Sequence, residues 1–282
     1  MNLHTKTPKK LAIINDFTGY GRCSHAVAIP VVSVMGIQAC PVPSAVFSNH
    51  MAFPYWHKVD YTPHLQEYFA CWEKLHLHFD GILCGFLGNE DQVSILVDFI
   101  DKQKSAGETI VILDPVMGDS GTCYSSVSPS YVDSLKKLLP LADIITPNLT
   151  EACLLTDTPY TKSMPDNDFL SKTTEKLHAM GPSKLVITGI MQENCFHNYF
   201  SALTPSPQTS VYTTEAGGPS RPGTGDLFAS IIAADAINGI PFEESVKKSA
   251  DFIRTCTEGS AAAGIPIRDG VCFENYLSLI GI

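Results

Sequence analysis

Short runs of purely apolar residues recur along this chain, each followed by a longer stretch with helical spacing. This alternation constrains the fold more than any other feature. Ile110-Val111-Ile112-Leu113 is apolar at every position. A strand wetted on one face alternates apolar and polar residues, whereas a continuous apolar run is explained by burial on both faces, as in a parallel sheet covered by helices. Strands are expected at residues 11–15, 38–42, 81–86, 109–113, 143–146 and 184–188, and helices at 24–35, 91–105, 130–139 and 166–180. Asn89 and Asp91 supply start signals for the helix over 91–105, and Gly107 ends it. The pattern describes one α/β domain over residues 1–282, with a mainly parallel central sheet between helical layers. No repeat or long linker interrupts it. Residues 118–128, rich in Gly and Ser, and 204–220, rich in Pro and Gly, read as mobile loops.

Composition narrows the function classes. With 44% hydrophobic and 17% charged residues the chain can bury a sizeable core. A net charge of −10, with basic residues clustered only at Lys9-Lys10 and Lys247-Lys248, argues against a nucleic-acid partner. No apolar window reaches the length of a membrane span, and the run from Leu11 to Ile14 is too short for a signal peptide. The nine cysteines are odd in number and lack CxxC spacing, which suits a reducing compartment better than a disulfide scaffold or zinc ribbon. A soluble, cytoplasmic protein is expected.

In open α/β sheets ligands bind beyond the carboxyl ends of the strands. The polar residues there are Asn15-Asp16, Ser48-Asn49-His50, Asp114, Asn148 and Thr188-Gly189. The sharpest motif is Arg221-Pro222-Gly223-Thr224-Gly225-Asp226, opening a helix of small and apolar residues. A glycine turn lets backbone N–H groups at a helix N-terminus point at an anion, and the helix dipole adds to the attraction. Asp226, in the first turn, could accept a proton from a substrate hydroxyl while those groups hold a transferring phosphoryl group. The same residues also suit a plain helix start.

Two further segments carry carboxylates. In Thr146-Pro147-Asn148-Leu149-Thr150-Glu151, Asn148 and Glu151 share one helix face. They could hold Mg²⁺ through water together with nucleotide phosphates, or form a helix cap with Asn at the cap and Glu three residues on. In Asp114-Pro115-Val116-Met117-Gly118-Asp119-Ser120-Gly121, Asp114 follows a fully apolar strand and could face a metal–phosphate cluster or simply end a turn. Gly-Asp-Ser-Gly also occurs in trypsin-like proteases, but those are all-β. Gly19-Tyr20-Gly21 lacks the third glycine and the acidic residue of a dinucleotide fingerprint, and no P-loop motif is present. His76 and His78 read as surface histidines near a helix end.

These segments, in this order, resemble the ribokinase superfamily. Phe47-Ser48-Asn49-His50, Gly85-Phe86-Leu87-Gly88, the Asp114–Asp119 run and Pro147-Asn148-Leu149-Thr150-Glu151 resemble the pyridoxal kinases within it. The resemblance implies a ribokinase-like three-layer sandwich that transfers the γ-phosphate of ATP to the 5′-hydroxyl of pyridoxal, pyridoxine or pyridoxamine. It implies Asp226 as catalytic base and Gly223, Thr224 and Gly225 as the anion hole. Asp114, Asn148, Glu151, Thr188 and Arg221 fall on the nucleotide side, with Glu151 and Asp119 toward Mg²⁺. Asn15, Phe47, His50, Met51 and Phe86, together with Asp226, fall on the side of the pyridine ring. A monovalent cation is left open, and a homodimer is expected. Asn15 and Met51 stand where Ser and Thr are usual, and Phe86 where Tyr is usual, which leaves the preferred vitamer open. The alternatives are a hydroxymethylpyrimidine or sugar kinase of the same fold, or a non-catalytic B6-binding protein. The former typically has Cys where Asp226 stands, and the latter needs no base.

Overall fold

The computed structural model describes residues 7–125, 127–162 and 165–281. Its strands are β1 (Lys10–Thr18), β2 (Gln38–Phe47), β3 (Lys58–Asp60), β4 (Gly81–Cys84), β5 (Ile110–Leu113), β6 (Gly118–Asp119), β7 (Thr122–Cys123), β8 (Ile144–Ile145), β9 (Lys184–Gln192), β10 (Cys195–Ala202) and β11 (Gln208–Glu215). Nine of them form one sheet in the order β11-β10-β9-β8-β5-β4-β1-β2-β3, and β6 and β7 make a separate hairpin. Pairing is parallel from β2 across to β9. It is antiparallel at both margins, where β3 joins β2 and β10 and β11 extend β9.

Helices α1 (His25–Val34), α2 (Thr62–Lys74), α3 (Glu90–Ala106), α4 (Pro129–Leu135), α5 (Leu149–Leu155), α6 (Asn167–Ala179), α7 (Thr224–Asn238) and α8 (Phe242–Ala262) cover both faces. The central strands show why their sequence is apolar throughout. In β1, Ala12 and Ile14 enter one core with α2 to α6, while Leu11 and Ile13 enter the other with α1, α7 and α8. Val111 and Leu113 of β5 divide from Ile112 in the same way. Successive side chains point to opposite faces of a sheet, so a strand between two helical layers has no polar face. The three-layer expectation is met. Asn89 caps α3 by accepting the N–H groups of Asp91 and Gln92 at 3.0 and 3.2 Å, and the helix ends at Gly107.

Two readings of the chain are corrected. Residues 204–220 are not simply a mobile loop, because they contain β11, paired residue by residue with β10. Its sequence, Gln-Thr-Ser-Val-Tyr-Thr-Thr-Glu, is mostly exposed at the sheet edge, so no apolar run marks it. The helix expected at 130–139 tightens into a 3₁₀ helix over Lys136–Leu141, which contains Pro140. Residues 118–128 hold the β6–β7 hairpin, with position 126 outside the described residues. His76 and His78 are exposed, and among the described residues no cluster of three or more His, Cys, Asp or Glu side chains is spaced to hold a metal by itself.

Candidate active site

The carboxyl ends of the parallel strands open into a cleft of about 780 Å³. Every residue assigned above to the base, the anion hole, the nucleotide, the metal or the ring lines it. The fold therefore brings together residues from Asn15 to Asp226 that the sequence scatters over seven segments.

The anion loop is shaped by a glycine requirement. Gly223 caps α7 with φ +88°, and a Cβ there would lie 2.1 Å from the carbonyl oxygen of Arg22. Both conditions exclude other residues. The Thr224 hydroxyl donates to the Arg221 carbonyl at 3.1 Å, tying the turn to the helix it opens. Residues Leu227 to Asp235 of α7 are buried, so the body of the helix is fixed in the core while its N-terminus opens onto the cleft. Arg221 is buried and lines the cleft, but its Nη1 donates to the carbonyls of Ile265 and Pro266 at 2.9 and 3.1 Å. Its Nε has no partner among the described residues.

Asp226 projects from the first turn of α7 toward the end of β1, where the Asn15 side-chain amide donates to its Oδ1 at 3.1 Å. Burial pushes the Asp226 carboxyl up to about 6; the Ser24 backbone N–H and Asn15 oppose that rise, and the charge of Asp16 adds to it. Asp114, at the end of β5, is held above the ordinary carboxylate range by burial and then by the charge of Asp226, despite a 3.2 Å hydrogen bond donated by Thr146. Asp16 is a carboxylate that the motif analysis did not assign. It is buried, and each of its oxygens accepts a hydroxyl at 2.6 Å, from Ser24 and Thr18. Burial raises it also. Three carboxyls thus share a space of low polarity, which favours neutralisation by protons or cations.

The Asn148–Glu151 pair proves to be a complete capping box for α5. Glu151 Oε2 accepts the Asn148 N–H at 2.8 Å, and Asn148 Oδ1 accepts the Glu151 N–H at 3.0 Å. Oε1 accepts the Met117 N–H at 3.1 Å, and the Asn148 amide donates to the Gly118 carbonyl at 2.8 Å. The cap therefore also anchors the hairpin that carries Asp119. Burial and the neighbouring Asp114 raise Glu151 well above its usual range.

At the opposite end Phe47 and Phe86 meet edge to face at 5.9 Å, with Met51 packed against them. His50 is anchored at both nitrogens. Its Nδ1 accepts the Ala52 N–H at 3.3 Å, which leaves the proton on Nε2 to be donated to the Arg268 carbonyl at 2.7 Å. Met191, Phe196, Asn198, Arg254 and Thr257 also line the cleft. They come from β9, β10 and α8 and belong to no motif, so no local signal identifies them.

A glycine-opened helix aimed into such a cleft, with a carboxylate in its first turn, marks the ribokinase-like class of small-molecule kinases. Comparison with known proteins agrees: the profile of the phosphomethylpyrimidine kinase family matches residues 34–268. The chain belongs to the pyridoxal kinase family. It is 31% identical to the pyridoxal kinase of Ovis aries over 75% of this chain and 72% of that one, and 30% identical to that of Homo sapiens over 79% and 74%. Among solved structures, the pyridoxal kinase of Lactobacillus plantarum superposes with a TM-score of 0.89 at 25% identity, covering 97% of both chains. A Bacteroides thetaiotaomicron protein assigned to the phosphomethylpyrimidine kinases, crystallised with pyridoxal, matches with a TM-score of 0.89 at 31% identity over 98% and 97%.

Proposed function

We propose that this chain, acting as one kinase domain, transfers the γ-phosphoryl group of ATP to the 5′-hydroxyl of pyridoxal, pyridoxine or pyridoxamine. One observation carries the reading: Asp226, in the first turn of a glycine-opened helix suited to an anion, lines the same cleft as the apolar cluster of Phe47, Met51 and Phe86. Asp226 accepts the hydroxyl proton as the oxygen attacks. The N–H groups of Gly223, Thr224 and Gly225 hold the charge on the moving phosphoryl group. Phe47, Phe86 and Met51 enclose the ring, while Asn15 and His50 border it.

Asp114, Asn148, Glu151, Thr188 and Arg221 form the nucleotide side of this reading. The oxygen-rich donor set fits Mg²⁺, since buried carboxyls held above their usual range gain from a hard cation. Glu151 and Asp119 would hold the ion through water, because both Glu151 oxygens already accept backbone N–H groups. When bound, Mg²⁺ offsets phosphate charge. A homodimer, by family resemblance, and a cytoplasmic location, from the nine scattered cysteines, complete the proposal, with a monovalent cation left open. Among the described residues no helix is long and apolar enough to cross a membrane.

Hydroxymethylpyrimidine is the second substrate to test, because the matching family is named for phosphomethylpyrimidine, which shares its pyrimidine ring. A coupled assay of ADP release over the three vitamers, hydroxymethylpyrimidine and a sugar panel decides. Turnover with the vitamers is expected. Turnover with hydroxymethylpyrimidine alone, or pyridoxal binding without turnover, would overturn the reading.

A further inference from the structure

Asn15 falls on the ring side of the proposed site, yet its hydrogen bonds point elsewhere. Its Oδ1 accepts two backbone N–H groups, from Asp16 at 2.9 Å and from Phe86 at 3.1 Å. A flipped amide would set its NH₂ against those two donors, so the orientation is fixed by chemistry. With the oxygen committed, Nδ2 faces Asp226 and donates to Oδ1 at 3.1 Å. The amide is also caged. A Cβ on Gly85 would lie 2.6 Å from Asn15 Nδ2 and 2.8 Å from its amide carbon, and the Gly85 N–H is tied to the Ile14 carbonyl at 2.8 Å. Neither strand end can move away without breaking the sheet pairing between β1 and β4.

We infer that Asn15 is a positioning residue for the reaction, holding the Asp226 carboxylate in one orientation against the anion loop, with Gly85 providing the space for it. The inference rests on Asp226 being the base. Asp226 lies one residue past Gly225 on a helix whose N-terminus is fixed, so side-chain rotation is its remaining freedom. The Asn15 amide removes that freedom together with the Ser24 backbone N–H, which also bonds the carboxyl. The sheet thereby sets the base relative to the strand ends that also carry Phe86, a wall of the ring pocket. A hydroxyl side chain at position 15 would be too short to accept both N–H groups and still reach α7. The Asn is thus matched to this chain's own Gly85 and Asp226, and its contribution is to turnover and not to ring affinity.

The test is a double-mutant cycle read by steady-state kinetics with pyridoxal. Asn15→Asp keeps an oxygen for the two backbone donors but replaces the donor arm with a carboxylate oxygen beside Asp226. It therefore both removes the hydrogen bond and adds a like charge; Gly85→Ala, which adds no charge, separates the two effects. A roughly tenfold to hundredfold fall in kcat is expected, as for loss of a hydrogen bond to a charged group, with KM for pyridoxal and ATP nearly unchanged. In the Asp226→Asn background the same change should cost less than about twofold, because coupled residues are not additive. Gly85→Ala, which displaces the amide without touching its chemistry, should reproduce the kcat loss and stands in if Asn15→Asp fails to fold. A raised KM for pyridoxal with unchanged kcat would assign Asn15 to the ring and overturn the inference, as would equal losses in both backgrounds or wild-type kcat in Gly85→Ala. Wild-type turnover by Asp226→Asn alone would instead remove the base and the inference with it, an outcome distinct from failure at Asn15.

Discussion

Glu151 reaches across from the first turn of α5 to the backbone N–H of Met117, 3.1 Å away, while its other oxygen closes the cap on Asn148. A single buried carboxylate thus joins a helix start to the strand-end segment leading into the β6–β7 hairpin. Replacing it with Gln leaves one acceptor for two backbone donors. Glu151→Gln should lower stability by about 1–3 kcal/mol, the cost of a buried group left unpaired. A thermal melt measures that. An Mg²⁺ titration of the rate on the same protein measures the metal role, for which half-saturation should rise severalfold. A lower melting temperature with an unchanged titration would make Glu151 a cap alone.

Asp226 should impose an acid limb on activity. Its carboxyl, pushed up to about 6, must be ionised to accept a proton, so kcat/KM should fall as pH drops through that value. Asp226→Asn should keep the fold and lose about 10²–10⁴-fold in rate, together with the limb. Retention of near-wild-type turnover would take Asp226 out of the base role.

The same carboxyl should carry a stability cost. Its folded pKa lies above that of an exposed carboxyl, so its favourable contribution is complete at low pH and is lost as pH rises through about 6. Asp226→Asn is therefore expected to melt above the wild type at pH 8 and to lose that advantage toward pH 4. Melting curves at the two pH values check the sign.

Gly223→Ala should be more damaging than its size suggests. The methyl would meet the Arg22 carbonyl at 2.1 Å, and the backbone would have to leave φ +88°. We expect a lower melting temperature and a loss of ATP turnover larger than that of Gly239→Ala. Gly239 caps the far end of the same helix with φ +80° and nothing within 4 Å of an added Cβ. Equal effects would make Gly223 a cap only.

The ring pocket should discriminate weakly among vitamers. Met51 packs on Phe47 and Phe86, so this wall offers no hydroxyl to read a polar ring substituent. Such a bond contributes about 0.5–1.5 kcal/mol, up to about tenfold. The three vitamers should have kcat/KM within about two orders of magnitude of one another, and Met51→Thr should change their ranking. Strict selectivity unaffected by Met51→Thr would show the pocket is read elsewhere.

What the chain determines by itself is local. The apolar runs of β1 and β5, the Asn89 cap of α3, the capping box at Asn148 and the glycine turn before Asp226 are all readable in sequence. Each depends on residues within a few positions of one another: burial on two faces, a cap, a positive φ. The tertiary structure decided the rest. β11 is mostly polar, with no apolar run, and has meaning only as the partner of β10. Arg221 reads as a nucleotide ligand in its motif, yet its Nη1 is committed to carbonyls 44 and 45 residues away. Asn15 and Asp226 are 211 positions apart, and no periodicity links them. Only the pairing of β1 with β4, and the packing of α7 under that pair, puts the amide against the carboxylate. Hydrogen-bond partners at such separations are set by the assembled layers, because a side chain's donors and acceptors are directional while its sequence neighbours are not what it meets in the fold.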